Sequence, residues 1–201
     1  MASGSEPFRE WISDLSEFQR NMQRIRDLSS QIRKIGFQCR ECGICCRGDE
    51  ATSRVIVSPP EIDQMLSATK RTRDEIVIPY PEFIEAENGA TFTFEWCLKN
   101  GNGNCIFQEE GGRCAIYSSR PWICRTYPFA LDGDTLTVSE CPGTGEAMTP
   151  EEADEIASDL LKRQKAEEEE ESAVGRIFSS HTIPEGAKVV FDSRGMWSIH
   201  G

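Results

Sequence analysis

The stretch CRECGICC, from Cys39 to Cys46, places four thiols within eight residues of a chain that has nine cysteines and two histidines in 201 residues. Two cysteines separated by two residues can reach one metal ion from a tight turn, as they do in zinc knuckles and iron-sulfur loops. Gly43 directly follows the second cysteine and tolerates the positive φ that such a turn tends to need. The stretch therefore predicts a metal-binding loop, with catalytic nucleophiles and halves of disulfides as the alternatives.

The charge and hydropathy of the chain restrict these alternatives. Asp and Glu number 34 against 22 Lys and Arg, a formal net charge of -12, which repels phosphate backbones and argues against nucleic-acid binding. The N-terminus has no basic segment followed by an apolar one, and no window approaches the roughly 20 apolar residues of a membrane span. We expect a cytoplasmic protein without a membrane segment. Because disulfides are rare in a reducing compartment, its clustered cysteines are expected to hold metal or to carry redox chemistry.

Long helices are predicted at both ends of the chain. Apolar residues recur in alternating steps of three and four from Phe8 to Ile32, so an amphipathic helix is expected to end near Gly36. This helix is interpreted either as an arm that docks a partner or as a helix packed across its own fold. A second helix is expected to start at a capping box formed by Thr149 and Glu152 and to continue through the acidic run 167–171.

Short elements are predicted between the two long helices. The prolines after Ser58 indicate the start of a helix. The segment TFTFEWCL, Thr91 to Leu98, alternates strictly and is predicted as one strand, with Cys97 opposite its apolar face. The segments KNGNGNCIF and ALDGDTLTV are predicted as hairpins, and AKVVF with GMWSIHG is predicted as a final strand pair.

Together these elements predict the α+β class, with a small irregular cysteine-rich core that metal stabilises. Short hairpins belong to this core, and long N- and C-terminal helices flank it. The expected domains are 1–38, 39–143 and 144–201. Since the central segment offers few large apolar side chains, metal ligation is expected to supply much of its folding free energy.

The adjacent residues Cys45 and Cys46 bear on the number of metal centres. In an extended backbone neighbouring side chains point in opposite directions, so these two thiols would serve two centres more easily than one. Two four-thiolate centres need eight cysteines. Beyond the first loop the chain offers Cys105, Cys114, Cys124 and Cys141, with Cys97 as a ninth cysteine.

Three stretches in order resemble a known family. The loop CRECGICC is followed by NCIFQEEGGRCAIYSSRPWICRTYPF and then by ECPG, which is similar to the YkgJ-type CxxCxxCC family of zinc- or iron-chelating proteins. The second stretch contributes the series Cys114, Tyr117, Arg120, Pro121, Cys124, Arg125, Tyr127 and Pro128. The resemblance implies metal binding by eight cysteines: Cys39, Cys42, Cys45, Cys46, Cys105, Cys114, Cys124 and Cys141. Cys97 and the long terminal helices fall outside the family pattern.

The choice of metal lies between iron and zinc. Cys39, Cys42 and Cys45 have the C-x2-C-x2-C spacing of bacterial ferredoxin loops, and Cys141 is followed by proline, as in such ligand sets. Zinc modules, however, use similar cysteine turns. We favour an iron-sulfur cluster of the 4Fe-4S type, with zinc as the alternative.

Arg120 and Arg125 lie on either side of Cys124 in the sequence. They are predicted either to bind the cofactor, by neutralising thiolate charge and donating hydrogen bonds to sulfur, or to pair with surface carboxylates. Tyr117 and Tyr127 are interpreted as packing residues with a satisfied hydroxyl.

Two classes of function agree with these features. One is an electron-transfer or structural module that holds one or two cysteine-ligated centres and meets a protein partner through its terminal helices; a purely structural zinc module is a variant. The other is an enzyme, because the resemblance includes iron-sulfur oxidoreductases and lysine methylases of flagellin. The sequence has neither the common nucleotide-binding motifs nor the C-x3-C-x2-C loop of radical-SAM enzymes. His181 and His200 are far from the cysteines in sequence and are interpreted as ordinary histidines.

Overall fold

The computed structural model describes residues 6–47 and 54–199, and the side chains of these residues from residue 15 onwards. Within these residues the chain forms five α-helices: α1 (Glu6–Ile35), α2 (Pro59–Ala68), α3 (Arg73–Ile76), α4 (Trp122–Thr126) and α5 (Pro150–Ser180). The same residues form eleven strands: β1 (Ile56–Val57), β2 (Val77–Pro79), β3 (Ile84–Glu85), β4 (Thr91–Thr93), β5 (Trp96–Leu98), β6 (Asn100–Gly101), β7 (Asn104–Cys105), β8 (Phe129–Asp132), β9 (Thr135–Val138), β10 (Lys188–Asp192) and β11 (Gly195–Ser198). Single turns of 3-10 helix span Ile44–Cys46 and Tyr117–Ser119. Helices with several small sheets confirm the α+β class.

The contacts of the chain separate it into two compact units. Unit 1 comprises Met1–Gln38 and Pro128–Leu161, and unit 2 comprises Cys39–Tyr127 and Lys162–Gly201. Neither unit is continuous in sequence, and α5 contributes residues to both. The division into 1–38, 39–143 and 144–201 stays a prediction. None of the described helices is long and apolar enough to cross a membrane.

Unit 1 consists of α1, the first part of α5 and the hairpin of β8 and β9. Both predicted long helices are confirmed. α1 ends where the Gly36 N–H donates to the Ile32 carbonyl (2.8 Å), with Gly36 at φ 73°, and α5 starts at the capping box in which the Thr149 N–H donates to the Glu152 carboxylate (2.7 Å). The buried apolar side chains of this unit form one cluster, comprising Leu28, Ile32, Phe129, Ala153, Ala157 and Leu160.

The described residues of unit 2 form three small sheets. The first has the strand order β1-β5-β2 and is antiparallel, whereas the second has the order β11-β10-β4-β3, in which β10 runs parallel to β4. The predicted hairpin of KNGNGNCIF is confirmed as β6 and β7, and the final strand pair is confirmed as β10 and β11. The helix predicted after Ser58 is confirmed as α2, where the Ser58 N–H donates to the Glu61 carboxylate (2.8 Å).

The prediction of one strand from Thr91 to Leu98 is wrong, because the structure divides this segment between two sheets. The chain bends at Phe94, between β4 and β5. The aromatic side chains of the two strands have different neighbours: Phe92 and Phe94 both pack against Phe191, whereas Trp96 belongs to the apolar cluster around α2. The alternating apolar residues of this segment pack against two different clusters. The period of two predicts a strand with one apolar face, but it does not show that the strand changes sheets.

An apolar cluster joins α2 to the first sheet of unit 2. It comprises Val57, Ile62, Met65, Ile76, Val77, Trp96, Leu98, Phe107, Ile116 and Val190. The expectation that the cysteine-rich segment lacks large apolar side chains is therefore wrong, since these residues are scattered singly along the sequence and gather only in the fold. Each large apolar side chain contributes about 1.5 to 3 kcal/mol when it is fully buried. This part of unit 2 thus has a source of stability that does not depend on metal.

Candidate metal centre

The loop that carries the first four cysteines ends in the 3-10 turn Ile44–Cys46. Gly43 precedes this turn with φ 69°, the left-handed conformation that the sequence predicts there. A Cβ at this position would overlap Gln108 Nε2 and would lie 2.9 Å from the Gly112 Cα, so glycine is needed for packing as well as for φ. The same Nε2 donates a hydrogen bond to the Gly43 carbonyl (3.2 Å). This contact fixes the cysteine loop against the segment that follows Cys105.

Cys45 and Cys46 are not in extended backbone, so the argument that assigned them to two centres is wrong. In the 3-10 turn the Cys45 thiol donates a hydrogen bond to the Cys46 sulfur. That bond, followed by burial, raises the pKa of Cys45, and the same bond lowers the pKa of Cys46. Both sulfur atoms lie within electrostatic range of Cys105 and Cys124. Two adjacent thiols therefore belong to one group of sulfur atoms.

Three further cysteines join this group from two other segments of unit 2. Cys105 is the last residue of β7, Cys114 pairs with Gln108 in an isolated bridge, and Cys124 is the third residue of α4. The Gln108 N–H also donates to the Cys105 carbonyl (2.9 Å). The chain turns back at the hairpin of β6 and β7 and again at the bridge between Gln108 and Cys114. These two turns bring Cys105, Cys114 and Cys124, which are nine or more residues apart in sequence, into one region.

The thiols of Cys45, Cys46, Cys105, Cys114 and Cys124 are here called the five-thiol group. Every thiol of the group except that of Cys46 has a raised pKa, and Cys46 is the exception because the Cys45 thiol donates to it. Burial raises the pKa of Cys124 to about 12, and the charges of Cys105, Cys45 and Cys114 act in the same direction. Burial is also the main cause that raises the pKa values of Cys105 and Cys114. A bound cation removes this penalty, because it replaces the protons with positive charge that several thiolates share. The donor set fits a metal that prefers sulfur ligands.

The five-thiol group is not a closed ligand cage. In residues 6–47 and 54–199, no three side chains of His, Cys, Asp or Glu have the arrangement that would hold a metal ion. All nine cysteines lie in these ranges, and each of them is free of disulfide bonding. Protonated thiols do not attract one another to a common point, and the ligands of a metal site lose their protons only when the metal binds. The structure therefore gathers the sulfur atoms in one region, and their convergence on an ion is the step that metal would drive.

Cys39 lies beside Tyr117, whose ring is stacked on Arg120. Burial raises the pKa of Tyr117, Arg120 opposes this effect, and the hydrogen bond that the hydroxyl donates to the Cys39 sulfur adds to it. The Arg120 guanidinium carbon is 3.6 Å from the centre of the Tyr117 ring, and its Nη1 donates to the Cys124 carbonyl (3.3 Å). The charge of Arg120 also favours the thiolates of Cys114 and Cys124. These contacts support the neutralising role that the sequence predicts for Arg120.

The other predicted site residues have different surroundings. Arg125 lies over the Trp122 ring, 4.7 Å from its centre. Cys42 is exposed, and its backbone is packed against Gly112, where a Cβ would lie 2.8 Å from the Cys42 carbonyl carbon. Cys141 belongs to unit 1. The assignment of all eight cysteines as ligands, and of Arg120 and Arg125 as cofactor-binding residues, stays a prediction.

Cys97, the ninth cysteine, is packed in the interior of unit 2. Its side chain is fully buried in β5. The thiol donates to the carbonyls of Ile78 (3.7 Å) and Pro79 (3.8 Å), and it accepts a hydrogen bond from Arg54 (3.9 Å). Burial raises its pKa. These contacts are typical of a structural thiol, in agreement with its position outside the family pattern.

Two polar residues near the five-thiol group give no signal in the sequence. Gln108 Oε1 is buried and, among the described residues, has no hydrogen-bond partner; a buried acceptor of this kind marks a place for an ordered water or a bound group. Glu61 Oε1 accepts a hydrogen bond from the Trp122 N–H at the start of α4 (2.7 Å). Neither residue belongs to a metal-binding motif, so only the tertiary contacts associate them with the cysteines.

The fold and the five-thiol group define a cysteine-rich metal-binding protein. A family model described as "CxxCxxCC: Putative zinc- or iron-chelating domain" matches residues 38–142, which is just over half of the chain. The chain therefore belongs to the CxxCxxCC family of zinc- or iron-chelating domains, and the resemblance seen in its cysteine spacing is confirmed. Comparison with curated proteins and with solved structures finds no match. The matched range includes all eight cysteines that the resemblance assigns as ligands.

Proposed function

We propose that this protein holds one or two iron-sulfur centres on its cysteines and serves as an electron-transfer module. The five-thiol group carries this proposal. Five thiols are enough for one four-cysteine site, which either an iron-sulfur cluster or a zinc ion would occupy. The spacing of Cys39, Cys42 and Cys45, and the proline after Cys141, also favour an iron-sulfur ligand set over zinc.

The exposure of the first cysteine loop supports electron transfer over a purely structural role. Cys39 and Cys42 are exposed, so one edge of the centre would face solvent, where a redox partner can approach it. An iron-sulfur cluster supplies one-electron chemistry, and its potential responds to nearby charge, hydrogen bonds and solvent exposure. Arg120 contributes positive charge at this position, and Tyr117 contributes a hydroxyl donor to Cys39.

We further propose that a protein partner docks through the terminal helices. Leu15 and Phe18 on α1 are 40% and 63% exposed, which supports an apolar contact. The acidic run 167–171 of α5 would favour a partner with positive charge. The nine free cysteines support a reducing, cytoplasmic location.

The test is to measure iron, zinc and acid-labile sulfide in protein purified without oxygen, with Cys97→Ser as the matched control variant. We expect iron and sulfide in nearly equal amounts, about four of each per cluster, and a visible absorbance that dithionite bleaches reversibly. The Cys97→Ser protein should give the same values as the unmodified protein. Zinc without sulfide would contradict the cluster and indicate a structural zinc module, and protein that contains neither metal would contradict metal binding altogether.

A further inference from the structure

The carboxylate of Glu61 contacts the N-termini of two helices at once. As the third residue of α2 it closes a capping box, in which Oε2 accepts hydrogen bonds from the Ser58 N–H (2.8 Å) and the Ser58 hydroxyl (2.7 Å). Its other oxygen, Oε1, accepts a hydrogen bond from the Trp122 N–H (2.7 Å). Trp122 is the first residue of α4, and Cys124 follows two residues later. Glu61 thus joins α2, which belongs to the apolar cluster, directly to the turn that carries a thiol of the five-thiol group.

The short helix α4 depends on such external contacts. Five residues form little more than one turn, and an isolated helix of this length is unstable in water. The first N–H groups of a helix have no partner within the helix, and an ionised carboxylate is a strong acceptor for them. Because Glu61 binds the first of these N–H groups, its position determines where the first turn begins. The position of the Cys124 thiol follows from that of the turn.

The other end of α4 is fixed by a second contact within unit 2. The fully buried Thr126 hydroxyl donates to the Trp122 carbonyl (3.0 Å), and Arg163 Nη1 donates to the same hydroxyl oxygen (3.1 Å). The turn is therefore held at its start by a carboxylate from α2 and at its end by a guanidinium from α5. Neither contact involves a sulfur atom, so both exist independently of metal.

We propose that Glu61 is a positioning residue of the metal centre: its carboxylate anchors the Cys124 turn to α2 and keeps the thiol in place for the metal. This inference rests on the proposed function, because it takes Cys124 to be a ligand. Removing an outer group that orients a metal ligand typically weakens metal binding by about 10- to 100-fold. The anchor of a whole ligand-bearing turn belongs to this kind of group.

Glu75 provides a matched control for Glu61. It closes a similar capping box at α3, where its carboxylate accepts from the Thr72 N–H (2.6 Å) and the Thr72 hydroxyl (3.0 Å). Glu61→Ala and Glu75→Ala therefore remove the same capping interaction from a helix, while only Glu61→Ala also removes the contact with α4. Co²⁺ is titrated into the full-length, metal-free, reduced protein, and the thiolate-to-cobalt charge-transfer absorbance is followed in competition with a chelator. We expect an affinity loss of about 10- to 100-fold for Glu61→Ala and a change of less than about twofold for Glu75→Ala, with a weaker charge-transfer band for Glu61→Ala alone.

A second pair of variants removes the donor instead of the acceptor. Trp122→Pro deletes the N–H that Glu61 binds, and proline is well accepted as the first residue of a helix. Pro121 already has φ -55° and ψ 157°, the extended conformation that a residue before proline requires. Trp122→Ala loses the same ring and keeps the N–H. We expect Trp122→Pro to lose cobalt affinity as Glu61→Ala does and Trp122→Ala to lose less. The double variant Glu61→Ala/Trp122→Pro should lose no more than Trp122→Pro alone.

The outcomes separate this inference from the function on which it rests. If the unmodified protein gives no thiolate-to-cobalt band, the role proposed for Glu61 is contradicted, whereas the metal centre itself is decided by the iron and sulfide analysis. If the unmodified protein binds cobalt, and Glu61→Ala binds it as tightly as Glu75→Ala does, only the role of Glu61 is contradicted. Equal affinities for Trp122→Pro and Trp122→Ala would contradict it as well, and this second comparison decides the matter if Glu61→Ala fails to fold.

Discussion

The two parts of unit 2 differ in what holds them together. The apolar part, around α2 and β5, buries ten hydrophobic side chains in one cluster. The cysteine-bearing segments 39–47 and 105–124 contain a few short helical turns, a two-residue strand and isolated bridges. The apolar part has the burial that stabilises a fold, and Phe107 and Ile116 of the segment 105–124 belong to it. The cysteines of the two segments instead bring together thiols of which all but Cys46 have raised pKa values. We infer that metal stabilises the second part and is dispensable for the first.

Two cysteines, one from each part, give the largest expected contrast. Cys124→Ser removes a thiol of the five-thiol group, and we expect it to lose most of its bound metal. Cys97→Ser changes a thiol that donates hydrogen bonds to two backbone carbonyls and accepts one from Arg54, so we expect full metal content and a loss of unfolding free energy of about 1 kcal/mol. Metal analysis and urea denaturation of both variants check this. Equal metal loss in the two would show that Cys97 is a ligand.

Removal of the metal should affect the amide hydrogen exchange of the two parts differently within one molecule. After treatment with a chelator under reducing conditions, we expect amide hydrogen exchange to increase in 39–47 and 105–124, because these segments lose the centre that joins them. The amides of α2 should stay protected, since Ile62 and Met65 remain buried in the apolar cluster. Exchange measured by mass spectrometry checks this expectation. Equal deprotection of α2 would mean that metal supports the whole unit.

Substitution of the buried Asp192 tests the stability of the apolar part without changing a cysteine. It is fully buried and accepts hydrogen bonds from Trp96 Nε1 (2.9 Å), the Arg194 N–H (2.9 Å) and Arg73 (3.4 Å). Asp192→Ala leaves these donors without a partner, so we expect a loss of about 3 kcal/mol of unfolding free energy. Asp192→Asn keeps one acceptor oxygen and should lose less. The metal content of the folded fraction should not change, and a loss of metal there would contradict the separation of the two parts.

The ion pair between Asp63 and Arg194 gives the smallest expected effect. The hydrogen bond from Arg194 lowers the pKa of Asp63, and both side chains are about half exposed. Asp63→Asn should therefore cost about 0.5 kcal/mol at pH 7. Because the pKa is lower in the folded state, this contribution is complete above the ordinary Asp pKa of about 3.9 and is lost as the pH falls through the folded value. Urea denaturation of both proteins at pH 7 and in acid checks it, and a difference that persists at low pH would contradict it.

The helices could be predicted because their signals are local. The capping box at Thr149, the prolines after Ser58 and the position of Gly36 each involve residues within one turn of one another, so the sequence determined them without knowledge of the fold. The sequence did not show that β4 and β5 are two strands, because the break between them has no local signal. Their alternation continues through Phe94, and only the distant partners Phe191 and Ile62 show that the two strands face different clusters.

The sequence predicted which cysteines characterise the site, but it did not predict how the side chains of the site are arranged in space. The spacing from Cys39 to Cys46 and the later series around Cys124 were sufficient to identify the family, which the family model confirms. The argument that Cys45 and Cys46 serve two centres was wrong, because it assumed an extended backbone where the chain forms a 3-10 turn. Glu61 was missed because its contact with α4 joins residues that are 61 positions apart.

The sequence by itself determined the spacing of the cysteines, the long helices and the family of this protein, because each depends on residue type and on short spacings. The tertiary structure alone decided which thiols lie together, that Cys97 lies apart from them, and that an apolar cluster stands beside the cysteine segments. The physical reason is that electrostatic and packing interactions act between neighbours in space, and those neighbours come from segments that are far apart in the chain.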